Sequence, residues 1–378
     1  QANVLLPKTL AVIEQGRQAG LHQGVQLYIS IRGEVIADLA VGENEPGAPL
    51  EPDHLMLWLS SGKPVTALAV AQLWERRQLD LDDPVARYIP EFGAAGKQAI
   101  TLRHLLTHTG GFRSADNLPE TLDWDQSLAL IFRSPIEPDW VPGQKAGYHT
   151  GSSWFVLGEI VRRLTGRALD RYVREQLFEP LGMKDSWIGM PPEAVTRYGS
   201  RIARTYVLEQ GSLKPHPLWN TETALTTCRP GSSARGPMRE LGRFYEALLA
   251  AWTPNDQPWR SRLPAVDSIL QPDTIRLFTA RHRNGLFDET FKQMMDWGLG
   301  FLVNSSCYGY ASVPYGYGPT ASANTFGHSG SQSSCAFCDP ERGWVVAWAG
   351  NGMPGEPRHQ RRVRGLHAAI YEDLDNGP

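Results

Sequence analysis

Two runs of alternating apolar residues, one near each end of the chain, constrain its fold more than anything between them. Near the start, GVQLYISIRGEVIADLAVGE (24–43) alternates on either side of Arg32-Gly33, the pattern of two β-strands joined by a tight turn. Near the end, FGHSG (326–330) and SSCAFCDPERGWVVAWAGN (333–351) read as a strand followed by a hairpin. Amphipathic helical spacing flanks them, in VLLPKTLAVIEQGRQAG (4–20) and RRVRGLHAAIYEDL (361–374). If the terminal strands pair, one antiparallel sheet is built from both ends of the chain and covered by its first and last helices.

The middle, 60–290, is mainly helical. ITLRHLLTHTGGF (100–112), the long segment 153–183 and MRELGRFYEALLAAW (238–252) carry helical periodicity, with Gly or Pro at the breaks. The expectation is an α+β chain forming a single catalytic domain over 1–378. Within it, 1–59 and 291–378 make the sheet part and 60–290 a helical insertion. One stretch, SSCYGYASVPYGYGPTASANT (305–325), reads either as an irregular surface loop or as an aromatic rim over a cleft, since it leads directly into FGHSG.

Among 378 residues 20% are charged and the net charge is -3. No global field draws nucleic acid or an anionic membrane, so a small or uncharged substrate is expected. No run of about eighteen apolar residues occurs, which excludes a spanning helix. Cys335 and Cys338 form a C-x-x-C without a second ligand pair, and in a strand they face opposite sides. They and Cys228 and Cys307 are therefore read as reduced thiols. A cytoplasmic location is the working expectation; a periplasmic or secreted one stays open because residue 1 is Gln. Nothing in the residues specifies an oligomeric state.

The chemistry is suggested by SSGKPVTALAVAQLW (60–74), where Ser60 and Lys63 stand one helical turn apart at the start of an almost uniformly apolar segment. A bare S-x-x-K arises about once by chance in a chain of this size. Its setting adds weight: a helix amino end disfavours a cation and burial desolvates it, so both effects lower the pKa of Lys63. Ser60 is then a candidate nucleophile. The plain alternative is a serine N-cap beside a snorkelling lysine.

SSGKPVTA resembles the S-x-x-K element of the serine β-lactamase and penicillin-binding superfamily, in particular its class C branch with the related carboxylesterases and D-aminopeptidases. Further segments resemble that branch in order: LRHLLTHTGGF (102–112), PGQKAGYHTGSSWFVLGEIVRRLTGR (142–167), PLGM (180–183), WGLGF (297–301) and FGHSGSQSSCAFCDPERGWVVAWAGN (326–351). The resemblance runs from about residue 20 to the end and implies a helix-flanked sheet with a helical subdomain. It makes Ser60 the acylated nucleophile, Lys63 its activating partner and Tyr148 the family tyrosine. A phenol near an ammonium is expected to have a lowered pKa, so Tyr148 competes with Lys63 as base. His328, Ser329 and Gly330 take the place of the final strand triplet, and the backbone amides of Ser60 and Ser331 that of the oxyanion hole. Gly330 is expected to let substrate approach closely.

The chain departs from that branch at two positions. His328 stands where a lysine usually meets a substrate carboxylate, and Thr150 where an asparagine binds an acylamide. Both weaken the case for β-lactam or peptidoglycan substrates. His328 binds substrate, orients Tyr148 by a hydrogen bond, or packs behind the strand. His104 and His108 lack a third ligand and an H-E-x-x-H, so a structural role is expected and no metal or other cofactor is implied. The basic run RHQRRVR (358–364) reads as a solvated helix face. Trp58 and Trp140 would suit an apolar acyl pocket. The expected activity is a cofactor-independent serine hydrolase, a carboxylesterase acting on small esters. The alternatives are a β-lactamase, a D-amino-acid peptidase or amidase, an acyltransferase, and an inert binding module of the same fold.

Overall fold

In the computed structural model, which describes residues 6–376, the two ends of the chain do pair. The main sheet contains Gly24–Ile31 (β1), Glu34–Glu45 (β2), Ala48–Pro49 (β3), Asp296–Trp297 (β4), Leu302–Val303 (β5), Phe326–Gly330 (β6), Ser334–Asp339 (β7) and Trp344–Gly350 (β8). Its order is β4-β5-β6-β7-β8-β1-β2-β3. β1 lies antiparallel between β8 and β2, so that Leu27 faces Trp348 on one side and Leu39 on the other.

Alternation in these strands sorts residues between two apolar cores rather than between core and water. Leu27, Ile29, Cys335, Phe337, Val346 and Trp348 pack on one face with Ile13 of helix α1 (Pro7–Gln18) and with Val363, Leu366 and Ile370 of the last helix. Tyr28, Ala336, Cys338, Val345 and Ala347 belong to the opposite core. Cys335 and Cys338 thus face opposite sides, and all four cysteines are free.

The second face is covered by Met238–Trp252, which lies inside the range read as insertion. The cause is that both sheet faces are apolar while the terminal helices cover only one. Close approach is possible because Gly242 has no side chain: a Cβ there would stand 2.2 Å from the Tyr28 ring. The middle also contributes strands. Met56–Leu57, Trp187–Ile188 and Ala234–Gly236 form one small sheet, and Gly352–Met353 joins Tyr206–Glu209 and Ser212–Pro215 in another.

The apolar segment after Ser60 becomes helix α2 (Lys63–Glu75), buried from Lys63 through Leu73. It packs beside helix α3 (Ser152–Thr165) in the core that also receives Met238–Trp252, here α4. The last helix, α5, spans Glu356–Asp375. Its basic run is not a uniformly solvated face. Arg358 and Arg361 are exposed, but His359 and Arg362 are buried. The Arg362 guanidinium donates to the carbonyls of Leu21, Gln332 and Gly352, tying α5 to the segments that enter β1 and β7 and leave β8. Among the described residues no helix is long and apolar enough to cross a membrane.

Candidate active site

Ser60 sits in the single tight turn Leu59–Gly62 that leads into α2. Leu59 holds a φ of 49°, a left-handed conformation that costs about 1–3 kcal/mol for a non-glycine residue. The surroundings over-determine it. Trp58 N–H donates to Ala234 O at 2.8 Å, Ser334 Oγ donates to Trp58 O at 2.6 Å, and Ser61 Oγ donates to His328 O at 3.1 Å. The turn is thereby fastened to β6 and β7.

Lys63 has no solvent exposure. Its Nζ lies 2.7 Å from Ser60 Oγ and 2.8 Å from each of the carbonyl oxygens of Thr150 and Gly231. Desolvation pushes its pKa down to about 7, against a smaller upward pull from the Asp116 carboxylate. A neutral amine has two N–H donors and one lone pair. With both donors committed to carbonyls, the lone pair faces the serine hydroxyl.

Tyr148 packs its ring against His108 at 4.5 Å between centroids and Phe291 at 4.9 Å, with Lys63 Nζ 5.4 Å from its centre. The expectation of an acidified phenol is overturned here. Burial pushes the Tyr148 pKa up, the interaction with the Ser60 hydroxyl only partly offsets this, and Asp116 and Asp288 push it further up. Loss of hydration dominates, and the lysine beside the ring itself loses its charge near neutrality. Tyr148 is therefore a neutral hydroxyl, able to donate and to relay a proton.

His328 and Ser329 line the cavity beside Ser60. The His328 Nδ1 lies 2.9 Å from Ser329 O, and its ring centroid is 6.1 Å from that of Tyr148. It has no hydrogen bond to Tyr148, and burial lowers its pKa to about 3, so it brings no positive charge. Gly330 plays a different part from close substrate approach. A Cβ there would meet Trp58 O at 2.3 Å and Ser334 Oγ at 2.4 Å, so its bareness lets β6 reach the Ser60 turn. Neither Ser60 N–H nor Ser331 N–H donates to an acceptor among the described residues, and both residues line the cavity. Thr150 lines the cavity, and its backbone has a second part: its carbonyl receives Lys63 while its amide donates to Asp116 Oδ2 at 3.1 Å.

The cavity has a volume of about 700 Å³ and is walled by Leu59, Trp219, Phe291, Met295, Trp297 and Tyr315 among others. Trp58 and Trp140 are not part of it. Trp58 is fully buried and donates to Gly236 O, and Trp140 donates to Thr109 O. The 305–325 stretch supplies Pro314 and Tyr315 to the rim, while its Tyr317 is buried in the core. His104 belongs to a helix-capping pair with Thr101, and His108 accepts the His149 amide. No cluster of ligands suited to a metal occurs among the described residues.

Sequence reasoning missed four residues that hold this geometry. Gly231 supplies an acceptor for Lys63, Asp116 receives the amides of Thr150, Gly151 and Ser152, Asp288 holds Tyr148, and Glu356 brings charge to the cavity. None sits in a segment with a local motif of its own.

The model of the Beta-lactamase family matches residues 10–370. A putative D-alanyl-D-alanine carboxypeptidase of Escherichia coli (strain K12) is 27% identical over 310 residues, covering 76% of this chain and 66% of that one. Esterase EstB of Burkholderia gladioli is 31% identical over 206 residues, covering 48% of this chain and 52% of the esterase. The matches thus span just under two thirds of the first relative and about half of the second. Among solved structures, a penicillin-binding protein homolog from Caulobacter crescentus superposes with a TM-score of 0.74 and 28% identity, covering 98% and 97% of the two chains. A family VIII carboxylesterase superposes with a TM-score of 0.76 and 26% identity over the same shares. With a match over nearly its whole length and a serine-centred cavity at the expected place, the chain belongs to the Beta-lactamase family and has its fold.

Proposed function

We propose that the protein hydrolyses small carboxylic esters through an acyl-enzyme on Ser60. The observation that carries this reading is the 2.7 Å contact between Ser60 Oγ and a buried Lys63 whose other two bonds go to carbonyls. As Ser60 Oγ attacks the ester carbon, the Lys63 lone pair takes its proton. The resulting oxyanion is received by the amides of Ser60 and Ser331. Collapse of the tetrahedral adduct breaks the bond to the alcohol. The alcohol leaves with the proton from Lys63, passed through the neutral Tyr148 hydroxyl. Water then attacks the acyl carbon, gives its proton back along the same route, and the acid departs as Ser60 is restored.

Esters are favoured over β-lactams and peptidyl-D-alanines by charge. The latter carry a carboxylate, whereas among the described residues no lysine or arginine lines the cavity and His328 is neutral. Similarity to esterase EstB and to a family VIII carboxylesterase supports the same choice. Transfer to an alcohol or amine in place of water would use the same acyl-enzyme.

A fluorophosphonate probe is expected to label Ser60, and Ser60→Ala to lose both the label and p-nitrophenyl ester turnover by at least about a thousandfold. A parallel panel of short-chain esters, nitrocefin and D-amino-acid amides decides the substrate class. Nitrocefin emerging as the best substrate would overturn the ester reading, and a folded protein that never labels would point to an inert module.

A further inference from the structure

The charge of the cavity narrows the substrate class, and the argument rests on the ester reading above. Glu356 opens α5 and is the only Asp, Glu, Lys or Arg side chain among the described residues lining the cavity. Its hydrogen-bond partners among the described residues are all neutral. The carboxylate accepts from Tyr315 OH at 2.7 Å, Ser331 Oγ at 2.9 Å and Gln360 Nε2 at 3.2 Å. The buried guanidinium of Arg362, on the same helix, donates to backbone carbonyls and forms no direct ion pair with it among the described residues, although the two charges attract at longer range. Neutral donors orient a carboxylate without cancelling its charge.

The other titratable groups of the cavity add no positive charge to offset it. Burial lowers the pKa of both His216 and His328, and raises those of Tyr148 and Tyr315. Lys63 stands behind Ser60 and titrates near 7. Glu356 is also close to the chemistry, since Ser331 holds its carboxylate by the side chain while the Ser331 amide faces the reacting carbonyl in the proposed mechanism. A substrate acylating Ser60 therefore lies beside an oriented carboxylate that has no ion-pair partner among the described residues.

We propose that Glu356 is a specificity-determining residue that selects esters bearing a protonated amine and rejects those ending in a carboxylate. Attraction and repulsion both act on binding, so the discrimination is a ratio between substrates. Three ethyl esters of matched length read it directly: ethyl 4-aminobutyrate, ethyl pentanoate and monoethyl glutarate, followed by pH-stat at pH 7.5. The expected order of kcat/KM is cationic, neutral, anionic, with at least about a tenfold step between the first and the last. Glu356→Gln is expected to bring that ratio to within about threefold, and added salt to shrink it in the wild type but not in the variant.

The wild-type order stands as a test even if the variant does not fold. An anionic ester hydrolysed as fast as the cationic one by the wild type overturns the inference while leaving the ester reading in place. So does a ratio that survives in a folded Glu356→Gln protein. If no ester is hydrolysed and Ser60 does not label, the functional reading fails and takes this inference with it.

Discussion

Asp288 grips Tyr148 by its backbone: Oδ1 accepts the Tyr148 amide at 3.1 Å while Oδ2 pairs with Arg283 at 2.8 Å. The same Oδ1 also receives the amides of Thr290 and Phe291, so one carboxylate joins the tyrosine to the cavity wall. Both ionised side chains are almost wholly enclosed, at 0% and 1% exposure. Removing one member of such a pair leaves an uncompensated charge, which costs about 3–5 kcal/mol. Asp288→Ala is therefore expected to lower the urea midpoint by a corresponding amount and to depress kcat. Unfolding curves that coincide with the wild type would contradict this account of the loop.

The pH dependence of catalysis should follow Lys63. Only its neutral form has a lone pair for Ser60, and burial sets its pKa to about 7. Turnover of a neutral ester, as kcat/KM, is expected to rise with pH through about 7 and then level. Asp116 favours the charged form, so Asp116→Asn is expected to move that midpoint to lower pH. A midpoint that moves upward refutes the assignment. Stability has a matching sign: the unfolded lysine keeps its proton above the point where the folded one releases it. The Lys63 contribution should therefore become less unfavourable as pH climbs from about 7 toward the ordinary lysine range.

Gly330→Ala tests the joint between β6 and the nucleophile turn. The added methyl would sit 2.3 Å from Trp58 O, and the neighbouring Ser334 Oγ, at 2.4 Å, is already bonded to that same carbonyl. Overpacking of this kind costs about 1–3 kcal/mol. The variant is expected to melt earlier and to react more slowly with the fluorophosphonate probe, because the turn must shift. Wild-type labelling together with wild-type melting would show that the joint tolerates a side chain.

Thiol titration separates the four cysteines. Cys307 is exposed, Cys335 and Cys338 are buried, and burial raises the pKa of Cys228. A disulfide-exchange reagent should find one fast thiol in the native protein and four after denaturation. A reductant is expected to leave the melting temperature unchanged, and a marked drop would expose a bridge that this fold does not contain.

Much of the scaffold was legible from adjacent residues. The alternation in β1, β2, β7 and β8 and the unbroken apolar run of α2 are local, so their elements can be read without knowing what they meet. Ser60 and Lys63 were equally legible, since a one-turn spacing places two side chains together whatever surrounds them. The role of 238–252 was less so. Its amphipathic spacing predicts a helix but does not name the sheet face it covers.

By itself, then, the order of amino acids determined where strands and helices form, which serine has a lysine one turn away, and that a histidine rather than a lysine stands at position 328. Only the tertiary structure decided that Thr150 and Gly231, 87 and 168 residues beyond Lys63, take its two N–H bonds, that Tyr148 stays neutral, and that Glu356 faces the same cavity. The physical reason is that burial and electrostatic field are sums over everything surrounding a group, and those surroundings come from distant parts of the chain.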